Sequence, residues 1–383
     1  MESTLITDFT PEMTTLAVAF ELSKASWKIG LHDSKREHPA MHTVADEAAQ
    51  KRLEQAVAVI EETKQKWGLA QPLRVVVMYE AGQDGFWIAR ALIQLGYEAL
   101  VIDPASIPVE RHARRAKTDR LDTIKLLTCL RAWLRGERDR MHVIRIPESA
   151  AEAQRQLVRD RGELQKECGQ HRDRIRKLLR TVGCWDSMDS HFARRLADGD
   201  VRCHDGSALA PELQQRLRRE SVRMELAEQQ LLALEKALVK QLPESTQERI
   251  ATLTRLKAIG KVGAMRIVLE LFWRDFDNRR QVGSCVGLVP QPYDSGESHI
   301  DQGISKQGNR RVRALLVEMA WMWLRYQPES ALTRWFDKRT QGSGLNKRAR
   351  RIAIIAVARR LVIALWRYLK DGVIPDGATL KAA

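Results

Sequence analysis

A chain of 383 residues with a formal net charge of +15 and a pI of about 9.8 is long enough for two or three domains with cores of their own, and its basic balance favours a polyanionic partner. The longest apolar runs, such as residues 352–358, are far too short to span a bilayer, and the acidic N-terminus lacks the apolar core of a signal sequence, so no membrane partner and a cytoplasmic location are expected. The five cysteines, Cys129, Cys168, Cys184, Cys203 and Cys285, are odd in number and have no paired ligand spacing; reduced thiols follow, and a zinc site at Cys184, Cys203 and His204 does not.

Residues 15–20 and 27–32 read as two short strands about a turn at residues 23–26, a hairpin with Glu21 at its bend. Residues 45–68 have helical spacing, residues 74–79 form a buried-strand run ending at Glu80, residues 85–95 are helical, and residues 98–102 make another strand. This alternation implies an α/β sheet with covering helices. After Asp103-Pro104 a basic stretch that includes Arg114, Arg115 and Lys117 leads into a helix start carrying Asp119, Arg120 and Asp122. The two aspartates are three apart and so point to one side.

Carboxylates gathered at the ends of adjacent strands repel one another unless cations neutralise them, and oxygen-only ligands favour hard ions such as Mg²⁺. Glu21, Glu80, Asp119 and Asp122 are therefore candidate metal ligands. Paired Mg²⁺ ions are common machinery for phosphoryl transfer, which makes nucleic acid the natural substrate and the neighbouring bases, Arg114, Arg115, Lys117 and Arg120, its phosphate contacts. Each acid alone has a plainer reading, a solvated strand end for Glu80 and a helix N-terminus for the aspartates.

Pro147 marks a boundary to long polar helices. Apolar or weakly polar residues recur at Leu157, Leu164, Cys168, Ile175 and Leu178, and more regularly at Leu213, Leu217, Met224, Ala227, Leu231, Leu234 and Leu238, with Glu220 where an apolar residue is due. That heptad spacing predicts a coiled-coil arm, antiparallel within one chain or paired across a dimer, with a plain helical hairpin as the alternative.

Beyond Pro243, Gly260-Lys261-Val262-Gly263 sets two glycines three apart between helical patterns, a turn that lets backbone approach phosphate as in helix-hairpin-helix modules. A polar turn at residues 292–296 holds Ser295, and Gly303-Ile304-Ser305-Lys306-Gln307-Gly308-Asn309-Arg310 follows it. Helical segments at 312–326 and 345–369 close the chain, with Trp321, Trp323, Trp335 and Trp366 assigned to core. Residues 305–370 hold 16 Lys and Arg against three acids, a net +13 in one segment. Lys306, Asn309, Arg310, Arg311, Arg313, Lys347, Arg348, Arg350 and Arg351, with Gly260, Lys261 and Gly263, are the candidate nucleic-acid contacts. Ser295 alone would be an ordinary turn residue. Ahead of such a basic run, its hydroxyl can attack a phosphodiester and hold the strand covalently.

Taken in order, Glu21-Leu22-Ser23-Lys24, Tyr79-Glu80-Ala81-Gly82, Lys117-Thr118-Asp119-Arg120-Leu121-Asp122, Ile259-Gly260-Lys261-Val262-Gly263 and Ser295-Gly296 with residues 303–310 resemble the insertion sequence 110 and insertion sequence 1111 transposases. The resemblance covers roughly residues 14–370. It implies an α/β RNase H-like (RuvC-like) domain over residues 1–146, a helical coiled-coil arm over 147–243, and a mainly α transposase domain with a helix-hairpin-helix-like element over 244–383. It further implies Mg²⁺ at Glu21, Glu80, Asp119 and Asp122, Ser295 as nucleophile, and DNA at element ends and target as substrate. A noncoding bridge RNA would guide the enzyme. The active site would be composite, shared between subunits of a homo-oligomer, a dimer or a tetramer. The family's first acid is usually aspartate; here it is Glu21, whose carboxylate reaches one bond further. A water-using metal-dependent junction nuclease and a catalytically inactive nucleic-acid-binding relative are the alternatives.

Overall fold

The computed structural model describes residues 14–107, 118–295, 298–341 and 347–381, and the chain divides into two compact units, Met1–Pro147 and Glu148–Ala383. The first is built on one mixed sheet. Its strands are β1 (Thr14–Leu22), β2 (Ser26–His32), β3 (Ala40–Ala45), β4 (Leu73–Glu80), β5 (Glu98–Ile102) and β6 (Val143–Ile144), in the order β3-β2-β1-β4-β5-β6. β4 runs parallel to both β1 and β5, and the three remaining pairings are antiparallel.

Alternation along the strands sorts the two faces. Leu16, Val18 and Phe20 join Val75, Val77 and Tyr79 beneath helices α1 (Ala49–Lys66) and α2 (Trp87–Gln94), whose Leu53, Ala56, Ile60, Ile88 and Leu92 complete that core. Ala17, Ala19, Val76 and Met78 form the opposite face under α3 (Asp119–Leu134), through Leu126, Leu127 and Leu130. Small residues on that side let α3 lie close: a Cβ on Gly30, which pairs with Ala19, would stand 2.9 Å from Thr123 Cγ2. This mixed sheet between helices is compatible with an RNase H-like fold.

Two strands of this sheet were not legible in the sequence. β3 is short and half exposed, with Thr43 and Ala45 turned to solvent; pairing with β2 rather than its own pattern makes it a strand, and it takes Ala45 from the predicted helix, which begins at Ala49. β6 is two residues long and exists through β5. β1 also extends past the predicted bend, so Glu21 sits inside the ladder opposite Lys28.

In the second unit α4 (Ser149–Arg180) and α6 (Pro211–Gln241) pair within the chain. They run antiparallel, since Arg161 meets Glu235 at 2.5 Å and His171 meets Glu220 at 2.6 Å. The far end is capped by α5 (Phe192–Asp198), with Phe192 and Leu196 packed on Ile175, Leu179 and Leu217. The body that follows comprises α7 (Glu244–Thr254), α8 (Lys261–Glu270), α9 (Arg279–Cys285), the hairpin β7 (Pro290–Ser295) and β8 (Ser298–Ile304), then α10 (Arg310–Tyr326), α11 (Ala331–Thr340) and α12 (Lys347–Asp371). Its core gathers Leu253, Ile267, Leu316, Trp323, Val357 and Leu361, all fully buried. Of the four tryptophans assigned to core, Trp323 is fully buried, Trp335 and Trp366 pack partly against it, and Trp321 is 39 % exposed.

Candidate functional site

Glu21 and Glu80 follow from strand register. β1 and β4 pair in parallel with Phe20 opposite Tyr79, so one residue on, the two glutamates stand side by side at the C-terminal ends of neighbouring strands. By alternation with Ala19 and Met78 they belong to the face that α3 covers. The strand end is held in place by Ala81 N–H donating to Ile102 O at 2.9 Å and Tyr79 Oη donating to Gly85 O at 3.0 Å.

α3 starts at the same end. Thr123 and Leu127 pack over Gly30, level with Ala19, whereas Arg131, two turns on, acts electrostatically on His32, level with Ala17. The helix therefore runs from the glutamate end back along β1, and its first turn carries Asp119 and Asp122. Thr118 caps it, its hydroxyl accepting from Leu121 N–H at 3.3 Å. Both aspartates also suit the positive end of the helix dipole.

Four carboxylates thus belong to one end of one sheet face, and an oxygen-only donor set of that kind suits a hard divalent cation. Among the described residues, no three His, Cys, Asp or Glu side chains are drawn close enough to hold a metal ion. The donor chemistry and its placement fit a cation; the side-chain positions do not close around one. Arg120 is exposed beside the aspartates. Arg114, Arg115 and Lys117 lie outside the described residues.

The predicted polar turn around Ser295 is a hairpin. Ser295 is the last residue of β7 and pairs with Ser298, and Asp294 pairs with His299 one rung back. The loop after β8 is fastened by its backbone: Ser305 N–H donates to Val289 O, Lys306 N–H to Gly287 O, and Asn309 N–H to Cys285 O. Gly308 sits at φ +82, where a Cβ would lie 2.2 Å from Cys285 O, so no other residue fits. Asn309 caps α10, its Oδ1 accepting from Arg311 and Val312 N–H. Arg313 is half-buried and donates to Val286 O and Gln307 O; burial, then Arg310, holds its pKa below the ordinary guanidinium value. Lys306, Arg310, Arg311, Lys347, Arg348, Arg350 and Arg351 are all exposed.

Gly260 ends the α7–α8 turn as the residue before α8, and Gly263 lies in the first turn of that helix with Lys261 exposed. The turn is fastened from behind by the C-terminal segment. Lys257 N–H donates to Thr379 O, Lys381 N–H to Arg255 O, and Lys381 Nζ to Ile259 O at 2.8 Å. Gln327, almost fully buried, donates to Lys257 O and Thr379 O and accepts from Thr379 N–H.

One charged node escaped the sequence reading. Glu270 at the end of α8 is 4 % exposed and binds Arg159 at 3.2 Å, Arg155 at 3.6 Å and the Nδ2 amide of Asn309 at 3.2 Å. It ties the base of α4 to the cap of α10. Its partners lie far away in the chain, so no local pattern marks it.

Residues 30–183 match the DEDD transposase family of IS110 type, and residues 250–334 match the family described as Transposase IS116/IS110/IS902. The first stretch includes Glu80, Asp119 and Asp122 but not Glu21; the second includes Ser295 and the loop to Arg313. The putative transposase y4rJ of Sinorhizobium fredii is 37 % identical over 382 residues, covering 97 % of this chain and 96 % of the relative. The transposase for insertion sequence element IS1533 of Leptospira borgpetersenii is 25 % identical over 63 % of this chain and 69 % of its own length. The transposase for insertion sequence element IS1111A of Coxiella burnetii is 28 % identical over 31 % of this chain and 30 % of its own. With mapped motifs at both ends and a relative matched along nearly its whole length, the chain belongs to the IS116/IS110/IS902 family of transposases, enzymes that cut and rejoin DNA.

Proposed function

We propose that this transposase acts on the DNA of element ends and target through a phosphoserine intermediate at Ser295, guided by a bridge RNA, with Mg²⁺ held by Glu21, Glu80, Asp119 and Asp122. The observation that carries the reading is the parallel register of β1 and β4, which aligns Glu21 with Glu80 on the face under which α3 opens with its two aspartates. The cation, when bound, neutralises charge on the phosphate under attack.

The chain's own contribution is a nucleophile and its setting. Ser295 Oγ bonds to phosphorus as the bond from phosphorus to one strand oxygen breaks; the hydroxyl proton passes to a base, and the departing oxygen takes up a proton to leave a free hydroxyl end. In rejoining, a hydroxyl end attacks the phosphoserine and the serine oxygen departs, so no water is consumed. The exposed bases Lys306, Arg310 and Arg311 after the hairpin, and Lys347, Arg348, Arg350 and Arg351 at the start of α12, hold phosphates. Residues 1–146 serve as the acid domain, 147–243 as the assembly arm of a homo-oligomer, and 244–383 as the serine domain, with the Gly260 turn as a helix-hairpin-helix-like backbone contact. The resemblance of the ordered motifs supports the RNA guide.

The test is a denaturing gel of protein incubated with labelled element-junction DNA, the transcript of its flanking region and Mg²⁺. A protease-sensitive DNA adduct is expected with wild type and absent with Ser295→Ala and Glu80→Gln. Cleavage without an adduct, unchanged in Ser295→Ala, would replace the serine with water as nucleophile.

A further inference from the structure

Between α4, α8 and α10 lies a cavity of about 330 Å³, of whose lining residues only Arg311 is among the contacts proposed above. Four cationic and two acidic side chains from three helices line it: Arg159, Glu163 and Lys166 from α4, Arg266 and Glu270 from α8, and Arg311 from α10. Arg159 is matched by Glu270 at 3.2 Å and Arg311 loosely by Glu163 at 3.8 Å. Lys166 and Arg266 have no acidic partner among the described residues.

Its floor is apolar, formed by the buried side chains of Val158, Val312 and Leu315. Gly162 leaves room above that floor, since a Cβ added there meets nothing within 4 Å. Arg159, Gly162 and Lys166 follow one another at three- and four-residue spacing and so share one side of α4. With two of the four cations matched by Glu270 and Glu163, Lys166 and Arg266 leave an excess of positive charge beside the apolar hollow, which favours an entering anion. A second opening, which shares Arg159, Glu163 and Arg311, continues it along α4 past Gln156 and Asp160, so the cavity is a station on a furrow rather than a closed hole.

We propose that this cavity is a nucleotide pocket for a nucleic-acid strand, in which the Lys166 and Arg266 rim holds a backbone phosphate and the Val158, Val312 and Leu315 floor takes the attached sugar or base. The proposal rests on the transposase reading and adds to it a site at the root of the arm, one that would couple a bound strand to the Glu270 node and so to the cap of α10. The chemistry is that of a phosphodiester, which either the guide RNA or a DNA strand supplies.

The test is fluorescence anisotropy of labelled single-stranded RNA, single-stranded DNA and duplex DNA against the full chain over a salt series. Two variants act by different means. K166A/R266A removes charge, whereas Gly162→Leu fills the hollow and leaves every charge in place; replacing glycine within a helix also favours the folded state. The charge variant is expected to lose roughly tenfold in affinity, with the salt slope falling by about one to two, and Gly162→Leu is expected to weaken the same ligand several-fold. A loss confined to RNA identifies the guide as occupant, and a loss confined to DNA identifies a substrate strand; either supports the pocket. Unchanged binding by both variants in all three arms overturns it, as does a loss in the charge variant alone, which would mark a solvated basic surface. Wild type that binds none of the three would overturn the DNA-processing reading as well.

Discussion

At the scale of single residues, the loop from Ser305 to Asn309 is tightly constrained within the serine-bearing body. Gly308 combines a left-handed backbone with a carbonyl in the space a side chain would need, whereas Gly372, at φ +70, has nothing within 4 Å of the same position. Gly372→Ala is expected to cost about 1 kcal/mol, the left-handed penalty alone, and Gly308→Ala at least twice that, since backbone must also move. Denaturant melts of the two variants give the comparison; equal losses would mean that the loop yields freely. The sequence displayed the glycine but not its constraint, because the opposing carbonyl belongs to Cys285, more than twenty residues earlier. The same is true of Glu21. Its alignment with Glu80 was legible as two strand ends, but the face they share became definite only once Ala17, Ala19, Val76 and Met78 were seen beneath α3.

At the scale of elements, the α4–α6 pair is where pattern and packing agree best, and the break in its pattern is informative. Glu220 fills a heptad position with a buried carboxylate that binds His171 Nδ1 at 2.6 Å and Arg174 at 3.3 Å. The hydrogen bond from His171, then that from Arg174, holds the Glu220 pKa below the ordinary carboxylate range, against the opposing effect of burial. A depressed carboxylate contributes stability above its unfolded pKa, about 4.3, and loses it as pH falls through the folded value. Wild type is therefore expected to lose thermal stability relative to Glu220→Gln as pH drops from about 5 towards 3; parallel melting curves for the two proteins would contradict this. Packing on the two sides of α6 should separate equally well. Leu217 is fully buried and Leu226 is 54 % exposed, so Leu217→Ala is expected to cost about 2–5 kcal/mol and Leu226→Ala about 0.5 or less, measured by urea unfolding. The heptad run revealed the apolar side from sequence alone. It did not identify the partner helix; in the structure α4 of the same chain packs against α6.

At the scale of the whole molecule, charge is distributed unevenly along the chain. The net +13 of residues 305–370 resides on helices whose inner faces are core and whose outer faces carry the exposed arginines and lysines, so one segment folds the body and supplies its cationic surface. Raising salt from about 50 to 200 mM is expected to weaken binding to duplex DNA by about a thousandfold if some six of these bases meet phosphates; a change of only a fewfold, read by anisotropy, would show that most of them face solvent in the complex. The count of charges along the chain made this legible at once, and apolar periodicity did the same for the α/β beginning and for most of the helical remainder. Short edge strands, the Glu270 node and the cavity beside it were hidden because each depends on residues distant in sequence.

The C-terminal segment that crosses behind the Gly260 turn bears on how the protein can be handled. Lys381 reaches Ile259, 122 residues away in sequence, and Thr379 and Gln327 complete the clasp. Trimming at residue 371 removes that clasp, so a shortened protein is expected to mimic a defect in strand binding while the basic surface of α12 is untouched.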